Sequence, residues 1–149
     1  MIRITRKSAA LATLLSAGAF GLVASLAALA QTMGGQTLVL SGAEEVPPVT
    51  TSATGSATLD IKADRSVTAT VTVSGMTATA SHIHEAAAGA NGPVIVPFAK
   101  TGENTFAALE GAKLTEAQYE SYKAGRLYVN VHSAKNPGGE IRAQLKGGL

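Results

Sequence analysis

Hydrophobic and polar residues alternate one by one along several short stretches of the chain. Apolar side chains occupy positions 57, 59 and 61 in one stretch and positions 67, 69, 71 and 73 in the next, with polar side chains between them. A period of two is typical of a β-strand that has one buried face and one face in water. Residues 63–66 (Ala-Asp-Arg-Ser) predict a turn, so we expect the two strands to pair as a hairpin.

Similar short runs recur and predict seven or eight strands in all. The segment from Thr115 to Gln118 is different, because Thr followed three residues later by Gln is a capping box. We therefore predict one short helix over about 115–124, ended by Gly125. Short strands at this spacing favour an all-β fold, namely an antiparallel β-sandwich. The further strands are predicted at Leu38, 80–85, Val94, Phe106, 127–132 and 141–145.

The first thirty residues have the composition of an export signal. A cationic segment, Met1 to Lys7, precedes an uncharged stretch that is rich in Ala and Leu and closes with Ala28-Leu29-Ala30. We predict a signal peptide over 1–30, cleaved after its last residue, and a single domain over 31–149. The alternative is an uncleaved anchor, since the uncharged stretch could just span a bilayer. Both alternatives place the domain outside the cytoplasm, periplasmic or secreted, without a membrane span of its own.

Composition excludes several classes of function. The chain has no Cys, which excludes a thiol nucleophile, a Cys-ligated metal and a disulfide scaffold. Three of its 12 Lys+Arg, at Arg3, Arg6 and Lys7, precede the predicted cleavage site, which leaves 9 cations against 10 Asp+Glu. The remaining domain is slightly acidic and lacks Trp, so nucleic acid is not an expected partner.

The three histidines of the chain are the candidate functional residues. His82 and His84 lie one residue apart, which on a strand places both side chains on one face. The apolar residues of the later strand are at positions 127, 129 and 131, so His132 lies on its polar face. If the two strands are neighbours, the three rings can converge, because cross-strand Cβ atoms are about 5 Å apart.

Three imidazoles without a thiolate suit a copper or, less well, a zinc ion. Metal affinity is then expected to fall below about pH 6.5, where imidazoles become protonated. Glu140 is a candidate to orient His132 from outside the ligand set, whereas Glu85 has the wrong parity to join the histidine pair. The alternative is that the three histidines are ordinary solvated surface residues.

Five motifs occur in an order that resembles the CHRD domain, which is named from chordin and is also found as single-domain bacterial exported proteins. The resemblance covers about residues 36–146. It implies an immunoglobulin-like, Greek-key or superoxide-dismutase-like β-sandwich, but little chemistry, and the growth-factor antagonism of chordin does not transfer with it. The motifs are Leu40-Ser-Gly-Ala-Glu-Glu-Val-Pro-Pro-Val49, His82-Ile-His84, Gly92-Pro-Val94, Tyr128-Val-Asn-Val-His132 and Pro137-Gly-Gly-Glu-Ile-Arg142.

The run His82-Ile-His84-Glu85 is also similar to the metal-binding His-x-His strand of copper/zinc superoxide dismutases. This similarity is local. The additional zinc ligands and the structural disulfide of that family have no counterpart, because the chain has one other His and no Cys.

Three functional hypotheses follow from the sequence. The first is an exported protein that binds a metal ion through His82, His84 and His132 and sequesters or delivers it without catalysing a reaction. The second is a non-catalytic structural or interaction module with an unidentified extracellular protein partner and no metal. The third is a small redox metalloenzyme that resembles superoxide dismutase.

Overall fold

The computed structural model describes residues 35–148. It contains eight strands and one α-helix, and each corresponds to an element predicted from the sequence. The elements are β1 (Gln36–Ser41), β2 (Thr54–Ile61), β3 (Val67–Ser74), β4 (Ala78–Glu85), β5 (Val94–Gly102), β6 (Thr105–Ala108), α1 (Glu116–Lys123), β7 (Leu127–Ser133) and β8 (Ile141–Gln144), with a 3₁₀ turn at Gly42–Glu44.

The eight strands form one closed, antiparallel barrel in the order β1-β2-β3-β6-β5-β4-β7-β8. The barrel closes where Ser41 of β1 pairs with Arg142 of β8. The prediction of an immunoglobulin-like or Greek-key β-sandwich is therefore wrong. The sequence did not distinguish the two architectures, because strand length and alternation are the same in a sandwich and in a barrel. Only the pairing of the first strand with the last distinguishes a barrel, and that pairing leaves no period in the sequence.

Alternation decides which side chains fill the barrel. In β3 the burial changes strictly from one residue to the next, with Val67, Ala69, Val71 and Val73 inside. The predicted hairpin is confirmed, because β2 and β3 are antiparallel with Ala57 opposite Val71. An eight-stranded barrel is just wide enough for side chains to fill it, so this interior is a packed hydrophobic core.

The predicted helix is confirmed with its capping box. The Thr115 hydroxyl accepts a hydrogen bond from the Gln118 amide, and the Gln118 side chain accepts one from the Thr115 amide. These bonds satisfy two amides at the helix start that have no partner within the helix. Gly125 follows the helix with a φ of 68°, a conformation that favours glycine.

No helix among residues 35–148 is long and apolar enough to cross a membrane. The predicted signal peptide over 1–30 and its cleavage site lie outside the described residues.

Candidate metal centre

Strand β7 is buried on both of its faces. All seven of its residues are buried, although every second side chain points out of the barrel. Three loops cover the outer face, and their contacts with β7 are polar. Asn130 donates to Glu45 in the β1–β2 loop, the Tyr128 hydroxyl accepts from Gly92 in the β4–β5 loop, and His132 contacts a carbonyl in the β7–β8 turn. The barrel therefore carries a second, polar layer outside its hydrophobic core.

The three histidines converge in this polar layer. Strands β4 and β7 are antiparallel neighbours, with Ala80 opposite His132 and His82 opposite Asn130. The ring centroid of His82 is 4.9 Å from that of His132 and 5.5 Å from that of His84, and the third separation is 5.7 Å. One nitrogen from each ring lies within 4.8 Å of the other two. The structure thus brings together the residues that the sequence selected as metal ligands.

Backbone carbonyls fix the orientation of two rings. The Nδ1 atom of His84 is 3.0 Å from the Gly92 carbonyl oxygen, and Nδ1 of His132 is 3.0 Å from the Pro137 carbonyl oxygen. A carbonyl oxygen only accepts, so each Nδ1 carries the hydrogen and each Nε2 keeps a lone pair. The Nε2 atom of His84 is buried and has no hydrogen-bond partner. A buried polar atom without a partner is costly, and a bound cation would satisfy it.

The spacing of the ring nitrogens fits a shared ion. Nδ1 of His82 lies 3.1 Å from Nε2 of His132. Two nitrogens bound to one ion at about 2.0–2.1 Å are separated by about 2.9 Å at a right angle and about 3.3 Å at a tetrahedral angle. The observed separation falls between these values. His84 contributes a nitrogen that lies within 4.8 Å of the nitrogens from both other rings.

Burial favours the neutral form of all three imidazoles, which is the form that binds metal ions. Burial lowers the pKa of His82 to about 4, with a smaller effect from His132 and His84. Burial is also the main reason that the pKa values of His84 and His132 are lowered. Only 8% of His84 and 9% of His132 is exposed. Protons therefore compete with a metal ion at lower pH than the ordinary imidazole pKa of about 6.5 suggests.

A stack of aromatic and cationic side chains supports the ring of His84. The His84 ring is nearly parallel to Tyr128, with 4.9 Å between centroids. The guanidinium carbon of Arg142 lies 3.4 Å from the centroid of the same Tyr128 ring. Arg142 is 1% exposed and also lowers the pKa of His84, although burial has the larger effect. The stack fixes the ring plane of His84 and keeps a positive charge near the centre.

The CHRD domain model matches residues 36–145. The chain belongs to the CHRD domain family. The resemblance seen in the sequence over 36–146 is thereby confirmed. No curated protein and no solved structure matches the chain.

Two carboxylates of this CHRD domain that were considered near the histidines have other partners. Glu140 accepts hydrogen bonds from Thr51, at 2.7 Å, and from Ser133. Its suggested role in orienting His132 is filled by the Pro137 carbonyl. Glu85 accepts a 2.5 Å hydrogen bond from Ser121 in helix α1.

Sequence reasoning missed the residues that surround the histidines. In sequence, Glu45 and Arg142 are indistinguishable from ordinary solvated charges, yet only 5% of Glu45 and 1% of Arg142 is exposed. The alternating run Tyr128, Asn130 and His132 was a usable signal. Its outward residues include no Lys, Asp or Glu, although a face in water is commonly rich in these charged residues.

Gly139 lets the β7–β8 turn pack against this polar layer. Its φ of 135° is unfavourable for any residue with a side chain. A Cβ atom there would lie 2.5 Å from Asn130 Oδ1 and 2.7 Å from Glu45 Oε1.

We expect Gly139→Ala to lower the free energy of unfolding by about 3 kcal/mol, because backbone strain and overpacking add. Urea denaturation measures this loss. Gly138→Ala is the matched control, since a Cβ at Gly138 meets nothing within 4 Å. Equal stability of the two variants would contradict the packing described for Gly139.

Proposed function

We propose that this CHRD domain binds one metal ion through His82, His84 and His132, and that copper is preferred to zinc. The observation that carries the proposal is the convergence of one nitrogen from each of the three rings within 4.8 Å. The buried Nε2 of His84, which has no hydrogen-bond partner, supports it. Imidazole nitrogen suits both metals, and divalent copper generally binds such ligands more tightly than zinc.

The proposed activity is sequestration or delivery of the ion rather than catalysis. His84 and His132 are oriented by donating hydrogen bonds to backbone carbonyls, and Glu85 and Glu140 are hydrogen-bonded to other residues. Among residues 35–148, no carboxylate is hydrogen-bonded to any of the three histidines, so the proposal includes no general acid or base at the ion. Three protein ligands leave a fourth position for water or for a ligand of the next carrier.

We also propose that residues 1–30 export the protein, so that the domain meets its ion in the periplasm or outside the cell. The cationic start, the uncharged stretch and the Ala28-Leu29-Ala30 site support this step.

Calorimetric titration of the metal-free protein with Cu(II) and with Zn(II) tests the function. We expect one ion per chain, with tighter binding of copper, and an increase in thermal stability, since a ligand specific for the folded state stabilises it. On acidification, binding should weaken at a lower pH than the ordinary imidazole pKa of about 6.5, because burial lowers the pKa of all three histidines, that of His82 to about 4.

Two outcomes would favour the alternative hypotheses. Unchanged thermal stability with either metal would contradict the metal-binding function and favour an interaction module with a protein partner. Dismutation of superoxide by the copper-loaded protein would favour the redox enzyme instead.

A further inference from the structure

Two buried oxygen atoms outside the histidine cluster also lack hydrogen-bond donors. Asn130 Nδ2 donates to Glu45 Oε2 at 3.2 Å, which accounts for one polar atom of each side chain. The other two atoms, Glu45 Oε1 and Asn130 Oδ1, are buried and have no partner. Only 5% of Glu45 and 2% of Asn130 is exposed, so bulk water does not satisfy these atoms.

Both unpaired oxygens lie beside Gly139. They lie 2.7 Å and 2.5 Å from the single point where a Cβ of Gly139 would stand, which places them no more than about 5 Å apart. An ionised carboxylate only accepts hydrogen bonds, and an amide oxygen also only accepts. Two acceptors without a donor cannot form a hydrogen bond with each other. A proton on Glu45 Oε1 would supply the donor, because the acid O–H can donate to Asn130 Oδ1.

We propose that Glu45 is protonated in the folded protein and that it forms a cyclic acid–amide pair with Asn130, which holds the β7–β8 turn in the position that orients His132. In this pair the Asn130 amide donates to one carboxyl oxygen and the other carboxyl oxygen donates to the Asn130 amide. The consequence for the metal centre rests on the metal-binding function proposed above, whereas the pair itself does not.

The surroundings of Glu45 favour the neutral acid. Burial raises its pKa, against smaller opposing effects from Asn130 and from Arg142. The charged groups that face it are Arg142 on β8 and Lys135, which lines the same 330 Å³ hollow from the β7–β8 turn. The Arg142 guanidinium donates to Asn91 and Gln144, and within residues 35–148 it makes no ion pair with Glu45.

The pair is connected to His132 through one short turn. Gly139 packs directly on the pair, and its amide donates to the Asn136 carbonyl at 3.1 Å. Pro137, which follows Asn136 in this turn, supplies the carbonyl that accepts from His132 Nδ1. When Glu45 loses its proton to solvent, its buried carboxylate becomes negatively charged. Glu45 Oε1 and Asn130 Oδ1 are then both without a donor beneath Gly139. The turn then loosens, and His132 loses the carbonyl that fixes its ring.

The substitution Glu45→Gln tests the pair in metal-free protein, because a glutamine amide donates to Asn130 permanently and cannot ionise. The folded state of the wild type holds the Glu45 proton to higher pH than the unfolded state, so its stability falls as pH rises through the raised pKa. The variant should match the wild type near pH 4 and unfold at a progressively higher urea concentration than the wild type toward pH 9. Glu44→Gln, at the exposed neighbouring position, is the control and should follow the wild type at every pH.

A Glu45→Gln variant that is less stable than the wild type at every pH would overturn the pair, since Glu45 would then act as a charged partner of Arg142. If the variant does not fold, infrared spectroscopy of the wild type decides. A protonated carboxyl band that persists above pH 6 supports the pair, and its absence overturns it.

Copper titration of the same proteins at pH 6 and pH 9 tests the connection to His132. The ratio of the wild-type copper affinity to the Glu45→Gln copper affinity should be lower at pH 9 than at pH 6. A constant ratio, with the stability pattern intact, would overturn the connection but leave the pair. Failure of every form to bind copper, with the same stability pattern, would reject the metal function and leave the pair.

Discussion

Alanine at any one of the three histidines is expected to lower copper affinity by more than about 100-fold. Loss of a side chain that only orients a ligand typically costs 10–100-fold, and each histidine here is a proposed ligand itself. His84 and His132 also hydrogen-bond the Gly92 and Pro137 carbonyls, so their removal reduces stability as well. Within residues 35–148, His82 has no hydrogen bond to a backbone carbonyl, so His82→Ala is the variant that best separates binding from folding.

Calorimetry with Cu(II) on the three variants measures the loss. The chain has no fourth histidine to serve as a neutral comparison. Glu85→Gln is therefore the control, since Glu85 is adjacent to His84 in sequence but hydrogen-bonds to Ser121. The copper affinity of this variant should stay within about twofold of wild type. Identical binding by wild type and His132→Ala would contradict the shared site.

The strands could be predicted from the sequence because each strand has its own alternation of apolar and polar residues. Alternation in residues 67–73 specifies both that β3 is a strand and which of its side chains are inside. The capping box at Thr115 does the same for the start of helix α1. Closure of the barrel is different, because it depends on Ser41 meeting Arg142 about one hundred positions later in the chain. The local sequence around Ser41 and around Arg142 is the same as that expected for a strand in an open sheet.

The candidate site divides in a similar way. Parity was enough to place His82, His84 and His132 on the outer side of their strands. It did not show that loops cover that side, because loop packing has no period. The burial of Glu45 and Arg142 depends on contacts with residues far away in sequence, such as Asn130 and Asn91. A charged residue in isolation is therefore read as solvated, and the polar layer around the site was missed.

Arg142 is the largest fully buried side chain in the described part of the chain. Its guanidinium carbon is 3.4 Å from the centre of the Tyr128 ring, and its nitrogens donate to Asn91 and Gln144 at 3.2 Å each. It therefore connects β8 to the ring that stacks on His84 and to the loop that carries the Gly92 carbonyl. Arg142 also stands in the pair that closes the barrel.

We expect Arg142→Ala to lower the free energy of unfolding by about 3 kcal/mol, since it leaves a cavity against Tyr128 and removes the hydrogen bonds to Asn91 and Gln144. Arg142→Lys should recover little of this loss, because an ammonium group cannot stack on Tyr128 and reach both amides in one plane. Urea denaturation of the metal-free protein measures both effects. Arg126→Ala is the matched control, since Arg126 is exposed and its loss should cost about 0.5 kcal/mol or less. An Arg142→Ala variant as stable as Arg126→Ala would show that the polar layer does not hold the outer loops on the barrel.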